Sequence, residues 1–276
     1  AANYDVFALH NHQVYLGYED MVGRFLKYRR EARTGKPWYA NETAITSSTV
    51  GDEKQAHTLF QKIIYTMSLM NRGAIGYNWY NLRNNGYAAD AEHQYGLVTN
   101  DFYPKPGYVV YNTLATVFRE MEFIRKHSRQ DEIWILEFAG KGNRAVAIWN
   151  ASPEKVADQL VSFHSDASRV EAIDLMGNYR PLALHDSILI HKISAMPEIL
   201  LFHNCSPLND AITMAEAQIE NPAVPGFPAD LELMLFNPFS EKLPVQLSLN
   251  CGKGVLAKLP DRIVLPPGEH RGITVK

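Results

Sequence analysis

One carboxylate stands out early in the chain. The run "KPWYANETAIT", Lys36 to Thr46, is a short apolar and aromatic stretch that finishes on Glu42. A strand that ends on a lone acid presents it to a substrate or to water, and only the first makes it a nucleophile or base. Two imidazoles come before it in "DVFALHNH", where His10 and His12 are two apart and so share one face of a strand. A further run, "GYNWYNL", places Trp79 and Asn81 two apart in the same way. "HNH" is too short for a nuclease or metal motif, and the ten histidines show no HExxH spacing, so no metal is expected. No Gly-rich loop suited to cradling phosphate is present, and no cofactor is expected. Cys205 and Cys251 give neither metal spacing nor a disulfide framework, and their pairing is left open.

The elements that must position these residues alternate. "YDVFAL", "PWYANE" and "GAIGYNWYNL" read as strands, rich in β-branched and aromatic residues. Between the first two, "YEDMVGRFLKYRREARTG" sets Met21, Phe25, Leu26 and Tyr28 at helical spacing and stops at Gly35, with Pro37 beyond. "GDEKQAHTLFQKIIYTMSLMNRG" is a second amphipathic helix, acidic in its first turn and ending on Arg72-Gly73. A third is predicted from about Pro106 to Ser128. Strand and helix in alternation predict a parallel α/β arrangement. Three such units cannot close an eight-stranded barrel and would leave two bare sheet edges.

Past about Gln130 the texture is all-β. "EIWILEFAG", "RAVAIWNAS", "DQLVSFHS", "VEAIDLMG", "ILIHKI" and "PEILLF" are short strands divided by turn residues. A second β pattern starts near "CSPLND". The expected domains are therefore 1–128, a partial barrel; 129–204, a small β-sandwich; and 205–276, a second sandwich-like module. A net charge of −3 with no basic block gives no sign of a nucleic-acid partner, and no apolar run is long enough for a membrane span. "AANYDVFALHNH" has no initiator Met and no signal peptide, so the chain is expected to begin inside a longer protein.

In this order, "DVFALHNH", "GKPWYANET", "GYNWYNL" and "YGLVTNDFYPKPGYVVYNTLA" resemble the C-terminal part of the barrel in clan A glycoside hydrolases. "AVAIWN…VEAIDLMGN…ILIHKISAMPEILL" is similar to the small sandwich that often follows such barrels. The resemblance covers most of residues 4 to 204. It implies α/β plus all-β architecture: the last three βα units of a (β/α)8 barrel followed by small β-sandwich modules.

Glu42 falls where that clan carries its nucleophile, at the end of the seventh strand. His10 and His12 match the end of the sixth, and Trp79 the eighth-strand Trp that floors the sugar site. Asn81 is placed to reach a sugar hydroxyl, whereas Tyr77, Tyr80 and Trp149 are read as packing residues. The implied activity is retaining hydrolysis of O-glycosidic bonds in a carbohydrate substrate, with the acid/base Glu and the other barrel strands upstream of Ala1. The chain alone is expected to be nearly inactive.

Asn41-Glu42 also matches the Asn-Glu pair of the clan's fourth strand, but the flanking "GKP" and "GYNWYN" favour the seventh. Secretion or a periplasmic location is expected from the substrate class only. The rival readings are a catalytically inactive glycan-binding or cell-surface protein, and a self-contained doubly wound domain.

Overall fold

The computed structural model of the chain describes residues 4–128, 131–156, 159–219, 230–247, 259–260 and 262–275. Cys251 lies outside them. Three strands, β1 (Phe7–Asn11), β2 (Trp38–Thr43) and β3 (Ala74–Trp79), form a parallel sheet in that order. Helices α1 (Tyr15–Glu31) and α2 (Ser47–Met67) connect them, and α3 (Pro106–Val117) follows. In α1, Tyr15, Tyr18, Val22 and Leu26 recur at helical spacing and are all buried, which makes one apolar stripe. Helix α2 makes a first turn and opens at Gly51 (φ 81°, ψ 161°), where a side chain would be strained. It then runs on from Asp52.

The β part comprises β4 (Glu122–Lys126), β5 (Ile133–Gly140), β6 (Asn143–Asn150), β7 (Gln159–His164), β8 (Arg169–Ile173), β9 (Tyr179–Leu182), β10 (Ile188–Ile193) and β11 (Glu198–His203). It continues with β12 (Ile212–Ile219), β13 (Leu231–Phe236), β14 (Leu243–Val245), β15 (Ile263–Leu265) and β16 (His270–Val275). A six-stranded sheet has the order β4-β5-β6-β11-β8-β9 and a five-stranded sheet the order β10-β7-β12-β13-β16, while β14 pairs with β15.

Strand β4 corrects the expected helix boundary. The helical pattern runs on to about Ser128, yet α3 stops at Val117 and Glu122–Lys126 pair antiparallel with β5. Pairing along the free edge of β5 outweighs a weak local helical preference. The expected divisions at 128 and 204 are both crossed by strand pairing: β4 joins β5, and β12 joins β7.

The helices form a layer between the parallel sheet and the six-stranded sheet. Trp134 on β5 and Trp149 on β6 face each other across the strands, rings 8° from parallel and 5.5 Å apart. Tyr15 of α1 stands edge-on to both, and Tyr65 of α2 edge-on to Trp134. The alternate residues of β5, Ile133 and Ile135, join Val161, Phe163 and Leu189 in a second core between the two antiparallel sheets. Strand β5 is thus buried on both faces. The face of the parallel sheet turned away from the helices is open to solvent.

Candidate active site

The three parallel strands end at one edge of their sheet, and the order β1-β2-β3 puts β2, which carries Glu42, in the middle. Register decides which way Glu42 points. Ala8 lies opposite Tyr39 and His10 opposite Glu42, so β2 spends one residue more than β1 over the same length. That bulge at residues 40–41 resets the alternation. Without it Glu42 would share the helix-facing side of Trp38, which is fully buried. With it Glu42 shares the open face of His10.

The two imidazoles converge on this carboxylate. His10 Nδ1 lies 3.7 Å from Oε2, and His12 Nε2 lies 3.3 Å from Oε1, so each oxygen faces one ring. The Glu42 side chain is 39% exposed and that of His10 57%, which leaves room for a ligand beside the acid. His12 is held by aromatic rings. Tyr80 stacks on it at 5.9 Å and 14°, and Tyr95 leans against it at 5.1 Å. Burial pushes the Tyr95 phenol above its ordinary range.

Trp79 and Asn81 take other positions. Trp79 pairs in register with the fully buried Thr43, packs against the helical core and donates its indole N–H to the Tyr95 carbonyl at 2.9 Å. It is the adjacent Tyr80 whose ring meets His12. Asn81 donates to Asn85 Oδ1 at 2.7 Å, and Asn85 in turn donates to the Tyr80 hydroxyl at 3.2 Å. Asn81 therefore supports Tyr80 from the loop behind it.

Sequence reasoning read Tyr80 as a packing residue without placing it on His12, and it missed Tyr95 and one residue beneath the site, Lys62. The Lys62 side chain is fully buried, and its ammonium donates to Asn11 O, Asn11 Oδ1 and Ala44 O at 3.2, 3.1 and 2.9 Å. Burial pushes its pKa down to about 7. The signal was available: Lys62 interrupts the stripe of Leu59 and Thr66 at helical spacing, a buried face where a charge is out of place.

Among the described residues no group of three or more His, Cys, Asp or Glu side chains is arranged to hold a metal ion. No described helix is long and apolar enough to cross a membrane.

No protein-family model and no curated protein matches the chain. Solved structures do. A family 39 glycoside hydrolase from the gut symbiont Bacteroides cellulosilyticus WH2 matches 65% of this chain over 37% of its own, at 21% identity and a TM-score of 0.54. A GH30 endoxylanase from Clostridium papyrosolvens C71 matches 73% of this chain and 49% of its own, at 14% identity and a TM-score of 0.43. The chain spans less than half the length of either. At such identities the likeness concerns the fold, and the first match carries it: the chain has a glycoside-hydrolase-like fold.

Proposed function

We propose that the chain is the C-terminal part of a retaining glycoside hydrolase in which Glu42 is the nucleophile. The observation that carries this reading is the convergence of His10 and His12 on Glu42 at the C-terminal ends of adjacent parallel strands. Barrel enzymes assemble their chemistry at that end of the strands. The open face of the sheet supports the rest. Parallel sheets are ordinarily covered on both sides, and this one is covered by helices on one side only. Further barrel strands closing over Glu42 would bury it, bringing a second carboxyl group to about 5–5.5 Å, the separation that retention requires.

The chemistry follows from the positions. Glu42 attacks the anomeric carbon as a carboxylate, the bond to the leaving oxygen breaks, and a glycosyl ester forms. The second carboxyl group protonates that oxygen and then takes a proton from the water that hydrolyses the ester. The imidazole rings beside the two oxygens of Glu42 confine the carboxylate between them and leave its remaining lone pairs open to the sugar. Tyr80 offers a flat apolar surface beside His12. The small antiparallel sheets are a β-sandwich attached to the barrel.

The test is covalent trapping. A protein comprising these residues and the remaining barrel strands is incubated with activated 2-fluoro-glycosides of several sugars and digested for mass spectrometry. The expected adduct is an ester on Glu42, and Glu42→Gln is expected to lower aryl-glycoside turnover by more than about 10³-fold. An adduct on another acid, or full turnover by Glu42→Gln, overturns the assignment. Binding of glycans with no turnover in either form would favour an inactive glycan-binding protein.

A further inference from the structure

We infer that Lys62 is a positioning residue that sets the placement of Glu42 against His10 and His12. The inference rests on reading those three residues as the site, but its test does not depend on Glu42 acting as a nucleophile.

The three acceptors of the Lys62 ammonium belong to the segments that carry the site. Asn11 lies between His10 and His12, and Ala44 is two residues beyond Glu42. The backbone already makes one link there, Ala44 N–H to Asn11 O at 3.0 Å. The ammonium adds a second, joining Asn11 O and Oδ1 on one strand end to Ala44 O on the next. The Asn11 side chain is engaged further, since its Oδ1 also accepts the Gln13 N–H at 3.1 Å. His12 is thereby flanked by two residues tied to the same atom or its partner.

A lysine is an expensive way to fill this space. Its charge is desolvated, and among the described residues no carboxylate pairs with it: the three hydrogen-bond acceptors are carbonyl and amide oxygens, and the Tyr18 ring lies 5.3 Å away. Methionine has similar length and would pack without that penalty. What lysine alone supplies is three donors on one compact atom, a match to three oxygens that converge from two strand ends. Without the ammonium, two carbonyls and an amide oxygen at these strand ends lose a donor each, and the two segments lose the link that the side chain makes between them.

The experiment is a double-mutant cycle read by NMR on the 276-residue chain. The His10 and His12 ring signals are recorded at one fixed pH in the wild type, Glu42→Gln, Lys62→Met and the double variant. In the wild type, Glu42→Gln is expected to move the ring signals of both residues, which measures how closely they sit against the acid. In the Lys62→Met background that shift is expected to fall by about half or more, with the thermal transition still cooperative. A coupling of unchanged size in folded Lys62→Met makes Lys62 merely structural and overturns the inference. So does the absence of any coupling in the wild type. Should Lys62→Met not fold, Asn11→Ala, which removes one of the three acceptors, takes its place: a reduced coupling supports the inference and an unchanged one overturns it. Failure of Glu42 trapping with an intact cycle would sink the nucleophile assignment and leave this inference standing.

Discussion

Glu137 accepts from His127 Nε2 at 2.9 Å, while the other nitrogen of that ring, Nδ1, accepts the Ala211 backbone N–H at 3.1 Å. The imidazole thus carries its proton on Nε2 and joins β5 to the segment leading into β12. Arg125 donates to Glu137 at 3.0 Å and Arg144 at 3.1 Å, around a carboxylate that is 1% exposed. Burial works against its charge, but the hydrogen bonds from His127 and Arg125 outweigh it and hold the carboxyl below the usual range. Removing the anion takes the charged acceptor from His127 and Arg144 and leaves Arg125 its bonds to Asp210 and the Leu208 carbonyl. Glu137→Gln is expected to cost about 3–5 kcal/mol in urea unfolding. Asp210→Asn, at the exposed end of Arg125, should cost less than about 1 kcal/mol. Equal losses from the two variants would contradict this picture.

Glu19 on α1 gives a pH dependence of one sign. Burial raises its pKa to about 7, only partly offset by the Tyr15 hydroxyl. The unfolded chain then releases this proton before the folded one does, so stability is lost as pH rises from the ordinary glutamate range to about 7. Glu19→Gln should gain on the wild type progressively between pH 5 and pH 8, as read from urea midpoints. A constant gap across that window would refute the assignment.

Lys62 gives the opposite sign in the next window. With its pKa pushed down to about 7, the unfolded chain holds the proton more tightly than the folded one between about 7 and the ordinary lysine value. Its contribution to stability therefore rises with pH across that range. The wild type should gain on Lys62→Met between pH 7 and pH 9.5, checked by the same urea series. A parallel pair of curves would mean that the lysine stays charged throughout.

Gly96 holds the loop behind Tyr80. A Cβ there would fall 2.1 Å from the Asn84 backbone nitrogen, and the Gly96 N–H donates to Asn84 Oδ1 at 2.9 Å. Backbone cannot retreat as a flexible side chain can. Gly96→Ala should cost about 1–3 kcal/mol and shift the Tyr80 and His12 ring signals. Unchanged ring signals in a folded variant would show that the loop does not support the site.

The parallel βα units were legible because their strands and helices differ in period, and α1 carries one apolar stripe. The position of Glu42 at a strand end was legible too. Its direction was not, because the bulge at residues 40–41 leaves no mark on the pattern of "WYANET" and depends on what β1 offers as a partner. The same limit explains Trp79. Sequence weighs an indole above a phenol as a sugar platform, whereas register gives the Trp79 ring to the core and leaves Tyr80 beside His12. Strand β4 was hidden in a run that keeps helical spacing, and only the free edge of β5 makes it a strand. Cysteine pairing was left open: Cys205 is half-buried and makes no disulfide among the described residues, and Cys251 lies outside them.

The facing indoles of Trp134 and Trp149 give the fold a built-in optical reporter. Indoles 5.5 Å apart and fixed against each other contribute to the near-ultraviolet circular dichroism, a signal that is lost when tertiary packing loosens. Because Tyr15 and Tyr65 pack their ring edges on that pair, the signal depends on the helices staying docked on the sheet. Its loss ahead of the far-ultraviolet transition would mark separation of the helical layer from the sheet before either one melts.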